Sequence, residues 1–276
     1  MTSARRGFLS ALVGLLGGCS PAALLNTTVS RDGYTLASDI PYGSHRRQKL
    51  DVYKAEKPRP DGKTVIFFYG GSWDSGSKSD YLFVGQALAS CGVTTIIPDY
   101  RVYPEALYPT FIEDCALATR WAANEASVER LFVTGHSAGA YNAMMLAANT
   151  SYLSAAGIDR MQLAGAIGIA GPYDFLPLTS RRLQEIFGGP DRRETQPVSY
   201  AKAPLPPILL LHGTADTTVK PFNSERLAAA WRRTDGKADL KLYPGVDHIE
   251  IVGAFSSLLR GRAPTLDDTL SFIERT

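Results

Sequence analysis

The sequence predicts an α/β fold in which a mostly parallel sheet carries helices on both faces. Short, continuous apolar runs recur along the chain, as expected for strands that are buried on both faces. Segments with the apolar spacing of helices separate these runs, and strands that alternate with helices are typical of parallel βαβ units. The length of 276 residues and the hydrophobic fraction of 45% suit one domain with one large core.

Each predicted element follows from its own local pattern. The predicted strands are residues 48–53, 64–69, 93–98, 130–134, 163–170, 207–212 and the more alternating 239–243, which suits a sheet edge. The predicted helices are residues 81–90, 111–124, 138–148, 221–233 and a segment from residue 249 onward.

Residues 171–206 interrupt this alternation, because they carry many Pro and Arg residues and little periodicity. A segment of this kind between two late strands is predicted to form a small lid over a site. We therefore expect residues 46–276 to form the folded domain, with the lid around 171–206. Residues 19–45 are expected to be an N-terminal linker.

The first eighteen residues have the pattern of an export signal. Arg5 and Arg6 form a charged region, and residues 8–18 form an apolar run that is too short to span a bilayer. The run ends at Cys19 and resembles the signal of bacterial lipoproteins, which implies lipidation of that cysteine. The implied location is the bacterial cell envelope, with a lipid anchor to the membrane and the protein facing the periplasm or the surface. An ordinary secretory signal is the alternative, and both the general and the twin-arginine export routes stay open.

The charge balance disfavours nucleic acid as a partner. Lys and Arg number 29 against 27 Asp and Glu, and no basic run is interleaved with aromatic residues. The histidines and cysteines lack the spacing of metal ligands, so neither a metal nor an organic cofactor is expected. Cys91 and Cys115 are predicted near opposite ends of one strand, too far apart for a disulfide, and are expected to be free.

A G-x-S-x-G pentapeptide at residues 135–139 lies between a predicted strand and a predicted helix. A sharp strand-to-helix turn holds Ser137 in a strained conformation, and Gly135 and Gly139 let the two elements pass closely. The serine hydroxyl then stands above the sheet at the positive end of a helix. The motif in this context predicts Ser137 as a catalytic nucleophile.

A serine nucleophile needs a histidine base, and the base needs an anionic partner. His248 follows the last predicted strand and is the best candidate for the base. Asp216 follows the strand at 207–212, and the order Ser, Asp, His is the one that enzymes with this elbow use. Asp174 is a competitor for the acid, whereas Asp247 is interpreted as a loop or capping residue.

The intermediate of acyl transfer needs backbone N–H donors aimed at its oxyanion. Ala138 begins the helix after the nucleophile and is predicted to supply one donor. Gly70 and Gly71 directly follow a strand and are predicted to supply the others. These three residues are the expected oxyanion hole.

The candidate substrate contacts are Ser72, Trp73 and His136, which lie next to the predicted catalytic groups in the chain. His136 occupies the variable position of the elbow, where a structural role is favoured over a catalytic one. Structural roles are also expected for His45 and for His212, the latter behind the acid.

From about residue 48 to the end, the chain resembles the α/β-hydrolase superfamily. The resemblance is carried by LDVY at 50–53, YGGSW at 69–73, DYRVYPE at 99–105, the elbow, and HGTAD at 212–216. Together these motifs are similar to carboxylesterases of the hormone-sensitive-lipase and bacterial feruloyl-esterase-like groups.

The chain departs from these groups at Tyr69, where histidine usually opens the glycine motif. Since the oxyanion donors are main-chain groups, we expect the hole to survive, whereas the hydrogen bonding that shapes the loop, and with it the substrate class, stays open. Ser72 replaces a third glycine and narrows the space beside the reacting carbonyl. The resemblance implies that four charged residues brace the neighbouring loop: Asp99, Arg101, Glu105 and Asp114.

The resemblance implies a serine hydrolase that cleaves a small-molecule carboxylic ester, with a short or aryl chain, through an acyl-enzyme. Kynurenine formamidases and prenylcysteine methylesterases are related, so an amide hydrolase or peptidase with the same triad is an alternative. A non-catalytic envelope protein that binds a ligand is a second alternative. The complete set of catalytic elements disfavours that reading.

Overall fold

A computed structural model describes residues 21–276, apart from residues 28, 61 and 126–130. The strands are β1 (Tyr34–Pro41), β2 (Lys49–Ala55), β3 (Thr64–Phe68), β4 (Thr94–Pro98), β5 (Leu131–His136), β6 (Leu163–Ile169), β7 (Ile208–Gly213) and β8 (Ala238–Tyr243). The helices are α1 (Pro21–Asn26), α2 (Leu82–Ser90), α3 (Thr110–Glu125), α4 (Ala138–Ala148), α5 (Thr150–Ala155), α6 (Arg181–Phe187), α7 (Phe222–Arg232), α8 (His248–Gly253) and α9 (Thr265–Arg275). The predicted signal peptide and Cys19 lie outside the described residues.

These strands form one sheet in the order β1-β2-β4-β3-β5-β6-β7-β8. β2 runs antiparallel to β1 and β4, whereas the other neighbours are parallel. The apolar runs of β3, β5, β6 and β7 are buried along their whole length. Because parallel crossovers are right-handed, the reversal in strand order between β3 and β4 places α2 on the face opposite α3 and α4. The predicted fold class is confirmed.

The register brings the carboxyl ends of five parallel strands level with one another. Phe68 at the end of β3 pairs with Gly135, and His136 at the end of β5 pairs with Ile169. Gly213 at the end of β7 pairs with Tyr243 at the end of β8. Loops that follow these strands therefore meet along one edge of the sheet, where ligands bind in open α/β folds.

Strand β1 lies within residues 19–45, which the sequence predicts to be a linker or entry segment. The strand pairs with β2 from Tyr34↔Ala55 to Pro41↔Lys49, with an irregularity between Ala37 and Ile40. Most of its side chains are exposed, so its sequence lacks the apolar alternation by which half-buried strands are recognised. The sheet thus extends into the region assigned to the linker.

Residues 171–206 contain a helix that the sequence pattern did not reveal. α6 has seven residues; the Ser180 side chain accepts the N–H of Leu183 at its start, and Gly188 ends it at φ 74°. Such a short helix shows too few turns for its periodicity to be seen. The predicted terminal helix likewise divides into α8 and α9, with Pro264 directly before α9.

The two predicted free cysteines are confirmed. Cys115 is buried, and Cys91 is half-buried, and neither forms a disulfide. Among residues 21–276, with the gaps given above, no helix combines the length and the apolar character that a membrane span requires.

Candidate active site

Ser137 occupies the turn between β5 and α4. Its φ of 54° places it in the left-handed region, which is a strained conformation for a residue with a side chain. A Cβ atom on Gly139 would overlap the carbonyl oxygen of Phe68, and one on Gly135 would overlap the backbone of Gly139. Only glycines therefore allow the elbow to pack against β3, as the sequence predicted, and Ser137 stands at the N-terminus of buried α4.

Asp216 and His248 form a direct hydrogen-bonded pair. The Nδ1 atom of His248 lies 2.7 Å from the Oδ2 atom of Asp216. The other carboxylate oxygen accepts the N–H groups of Thr218 at 2.9 Å and Val219 at 2.8 Å. These bonds orient the carboxylate toward His248, which lies with Ser137 on the wall of one cleft.

The environment of Asp216 keeps it ionised. Burial alone would raise the pKa of its carboxyl group, but hydrogen bonds from His212 and His248 outweigh burial and hold that pKa well below its usual range. His212 donates from Nε2 mainly to the Val219 carbonyl at 2.8 Å, with Asp216 at 3.4 Å, while its Nδ1 bonds Ser224 at 2.7 Å. His212 thus supports the acid from behind.

The orientation of His248 fixes its tautomer. Because an ionised carboxylate can only accept, Nδ1 of His248 carries the proton and Nε2 is left as the acceptor. His248 is the first residue of α8, and the Asp247 side chain caps that helix by accepting the N–H groups of Ile249 and Glu250. The capping role predicted for Asp247 is confirmed. Asp174, the competitor for the acid, instead pairs with Arg226 at 3.0 Å.

A chain of hydrogen bonds joins the elbow to the loops on either side. His136 lies 3.0 Å from the His248 carbonyl through Nε2 and 3.2 Å from the Tyr81 hydroxyl through Nδ1. Since a carbonyl only accepts, Nε2 carries the proton and Nδ1 accepts from Tyr81, whose oxygen in turn accepts the N–H of Gly70 at 3.3 Å. Burial, reinforced by the His248 ring, holds the pKa of His136 well below its usual range, so that ring is neutral.

These hydrogen bonds change the roles predicted for Gly70 and His136. The N–H of Gly70 is engaged by Tyr81, so Gly70 does not offer a free oxyanion donor in this conformation. Both ring nitrogens of His136 are engaged by protein groups, so it acts in positioning rather than in polar contact with a substrate. Tyr81 was missed because a tyrosine in a helical pattern carries no local signal of its contacts 55 residues away.

Two clefts meet at Ser137. The first, which we call the N-terminal cleft, has a volume of about 460 Å³ and lies on the side of α1. Its lining residues are Ala22, Leu25, Gly70, Gly71, Ser72, Ser75, Gly76, Asp80, Tyr81, Phe83, His136, Ser137, Thr218, His248, Ile249 and Val252. The second, which we call the insertion cleft, has a volume of about 470 Å³ and lies on the side of residues 171–206. Its lining residues are Ser72, Trp73, Ser137, Ala138, Pro172, Asp174, Phe175, Leu176, Pro177, Leu178, Thr179, Leu183, Thr218, Val219, Lys220, Phe222, Asn223 and Arg226. A molecule with its reacting carbon at Ser137 has room on both sides.

The loop that carries Gly71 is held in an unusual conformation. Gly71, Ser72 and Trp73 have positive φ values of 131°, 50° and 60°. Trp73 is buried, with 3% of its surface exposed, and its indole N–H donates to the Asn142 side-chain oxygen at 3.1 Å. Ser72 lines both clefts and Trp73 only the insertion cleft, so both of these predicted contacts lie beside the nucleophile.

Tyr69 braces this loop. Its hydroxyl accepts from Arg47 at 2.8 Å, its ring stacks on Tyr100 at 4.5 Å, and its carbonyl accepts the Tyr100 hydroxyl at 2.7 Å. These three contacts fix the position of Tyr69 at the start of the loop. The loop after β4 is braced by Asp114, whose two carboxylate oxygens accept the Nε–H and Nη2–H groups of Arg101.

The arrangement suits transfer of an acyl group to a serine. A strained serine, the imidazole of His248 and a helix N-terminus lie together where two clefts meet. Within the described ranges, no cluster of three or more acidic, histidine or cysteine side chains could hold a metal ion.

Residues 50–231, about two thirds of the chain, match the BD-FAE family, so the chain belongs to this esterase-like family of α/β-hydrolases. It is 27% identical over 262 residues to a probable isoprenylcysteine alpha-carbonyl methylesterase of Oryza sativa subsp. japonica, covering 85% of this chain and 61% of that protein. It is 28% identical over 229 residues to the kynurenine formamidase of Salmo salar, covering 78% of this chain and 75% of that protein. The chain thus spans about three fifths of the length of the rice relative.

A solved structure, a truncated form of a carbohydrate esterase from gut microbiota, superposes with a TM-score of 0.76 at 21% identity. The match covers 90% of this chain and 98% of that one. At this identity the likeness shows the fold, which is the α/β-hydrolase fold expected from the motifs.

Proposed function

We propose that this protein is a serine esterase that cleaves small carboxylic esters through an acyl-enzyme on Ser137. The observation that carries the proposal is the buried Asp216–His248 pair, with a 2.7 Å hydrogen bond, whose His248 lines the same cleft as strained Ser137. A protein that only binds a ligand has no use for a nucleophile, a tautomer-fixed base and an ionised acid in one place.

The proposed cycle uses only groups of this chain. The Nε2 atom of His248 removes the hydroxyl proton of Ser137 while the oxygen attacks the ester carbonyl carbon. The N–H groups of Gly71 and Ala138 stabilise the oxyanion that forms. The same imidazole then gives its proton to the departing alcohol, and a water molecule that it activates hydrolyses the acyl-enzyme and restores the serine.

Labelling with a fluorophosphonate tests the nucleophile. We expect the purified protein to be labelled and to hydrolyse p-nitrophenyl acetate, and Ser137→Ala to lose labelling and at least about 10⁴-fold in turnover. Ser75→Ala is the matched control, since Ser75 lines the same cleft but donates its hydroxyl to the Gly71 carbonyl. Absence of labelling in the unsubstituted protein would mean that the triad does not work, and a binding role would replace the enzyme.

Amide hydrolysis is the second candidate, because the formamidase relative is matched over 75% of its own length. The same triad would serve, but the amine leaving group needs a proton before it departs. Comparing an aryl ester, a formyl amide and an aminoacyl anilide at equal concentration separates the two. We expect the ester to be cleaved fastest, and faster turnover of the formyl amide would reassign the substrate class.

We further propose that the protein is exported and lipid-anchored through Cys19. The support is the charged and apolar pattern of residues 1–18 and the cysteine that follows it. Mass spectrometry of protein from a bacterial membrane fraction should find a lipidated N-terminal cysteine. Cys19→Ala should move the protein to the soluble fraction, and an unmodified cysteine would indicate an ordinary secretory signal.

A further inference from the structure

Helix α1 forms a wall of the N-terminal cleft. Ala22 and Leu25 line this cleft together with Ser137 and His248. Leu25 is 5% exposed, whereas the neighbouring Leu24 is 37% exposed. The helix therefore turns one large side chain toward the cleft and the next one to solvent.

Asn26 fixes the position of this wall. Its amide nitrogen donates to the Ser79 carbonyl at 2.8 Å, and its amide oxygen accepts the N–H of Phe83 at 3.2 Å. The second bond satisfies a backbone donor in the first turn of α2 that has no partner within the helix. A Cβ atom added to Gly253 of α8 would lie 3.7 Å from the Cδ1 atom of Leu25, so Leu25 lies close to α8. Leu25 is therefore next to a residue that is bonded to α2 and is itself close to α8, and both of these helices border the cleft.

The lining beside Leu25 is apolar. The side chains are those of Leu25, Tyr81, Phe83, Ile249 and Val252, and Ile249 is 46% exposed at the mouth. The carboxylate of the lining residue Asp80 accepts the N–H of Ser77 at 2.9 Å and is part of a cap. Among the described residues that line this cleft there is no Lys or Arg. A charged or strongly polar group would find few partners here.

The insertion cleft differs in its charged rim. Asp174, Lys220 and Arg226 border it, and Asp174 pairs with Arg226 at 3.0 Å. The rest of its lining is largely apolar, like that of the N-terminal cleft, so the rim is what distinguishes the two clefts. A polar group can pair with the charged side chains of this rim, whereas the described lining of the N-terminal cleft offers it no Lys or Arg. The two sides of Ser137 therefore favour different halves of an ester.

We propose that the N-terminal cleft binds the apolar half of the ester and that Leu25 limits the length of that half. This inference rests on the proposed esterase activity. Each methylene buried within the limit should raise kcat/KM by roughly fourfold, and methylenes beyond it should raise it no further. The segment at the start of the described chain is then part of the specificity machinery.

Two series of esters test the proposal: p-nitrophenyl esters from acetate to octanoate, and acetates of alcohols of increasing length. The measured quantity is kcat/KM relative to the shortest ester of each series. Leu25→Trp should reduce the ratio for the longest ester by about tenfold in one series, and Leu25→Ala should raise it in that same series. Leu183→Trp, in the insertion cleft, should affect the other series.

Leu24→Ala is the matched control, since Leu24 lies on the same helix outside the cleft. Leu25→Met conserves volume and should keep the unsubstituted profile even if the tryptophan variant unfolds. Unchanged length profiles in folded Leu25→Ala and Leu25→Trp, with acetate still hydrolysed, would overturn the role of Leu25 and leave the esterase intact. Failure of the unsubstituted protein to hydrolyse any ester would instead overturn the proposed function.

Discussion

Asp216 and Asp114 are two buried carboxylates with similar surroundings and different chemistry. Both side chains are fully buried, and both oxygens of each accept short hydrogen bonds. Asp216 receives His248 at 2.7 Å and two backbone N–H groups. Asp114 receives Arg101 on both oxygens at 2.7 and 2.8 Å, and Gln48 at 2.7 Å.

The difference between them lies in the partner and its access to a cleft. The guanidinium of Arg101 stays charged at any pH that the protein meets, so its pair with Asp114 can only hold the loop together. A histidine side chain, unlike a guanidinium, can both accept and give up a proton during a reaction, and the imidazole of His248 borders the cleft beside Ser137. Burial and hydrogen bonding alone therefore do not identify a catalytic carboxylate.

The largest effect is expected for Asp216→Asn, which tests the catalytic role of this carboxylate. The amide oxygen cannot hold the His248 tautomer as the carboxylate does, and we expect kcat to fall by roughly 10⁴-fold. Steady-state hydrolysis of p-nitrophenyl acetate measures this. Asp174→Asn is the matched control and should stay within a few-fold of the unsubstituted protein, whereas equal losses in both variants would contradict the assignment of the acid.

Asp114→Asn should lower the stability of the protein and leave its kcat nearly unchanged. It leaves the Arg101 charge without its anion, and since Arg101 is partly exposed we expect a loss of about 2–3 kcal/mol in the free energy of unfolding. Urea denaturation measures the loss, and kcat of the folded protein should change less than about threefold. A large fall in kcat without a loss of stability would show that Asp114 belongs to the site.

His136 is a third buried polar group beside the two carboxylates, and the pH dependence of the free energy of unfolding tests its protonation state. Its pKa is held below the usual value of 6.5, so the unfolded chain binds the proton first and stability falls as the pH drops below 6.5. Between pH 7.5 and 5.5 this histidine should reduce the free energy of unfolding by about 1 kcal/mol. Urea denaturation at both pH values should show a correspondingly smaller difference for His136→Gln, and equal differences would contradict a neutral His136.

The smallest expected effect is that of Tyr81→Phe. It removes the hydroxyl that links Gly70 to His136, and the loss of one such hydrogen bond should lower kcat by about fivefold. KM for acetate should stay unchanged, because the hydroxyl positions the loops without holding the substrate. Tyr103→Phe, whose hydroxyl lies 3.3 Å from Glu185, is the control and should leave kcat unchanged.

Local patterns were sufficient for the central strands, the elbow and the cap at Asp247. Each depends on residues that are near one another in the chain: a continuous apolar run, two glycines around a serine, or an acid before a helix. Exposed β1 and the short α6 were missed because neither has enough buried positions to leave a period in the sequence.

The sequence by itself determined the α/β layers, the strained serine turn and the order of the three candidate catalytic residues, because these depend on local spacing and backbone sterics. Only the tertiary structure decided that His136 bonds the carbonyl of His248, 112 residues away in the chain, and that Tyr81 accepts the N–H of Gly70. It also decided that Leu25 lines the N-terminal cleft. The physical reason is that such contacts depend on strand order and on how helices pack over the sheet edge, which no local pattern encodes.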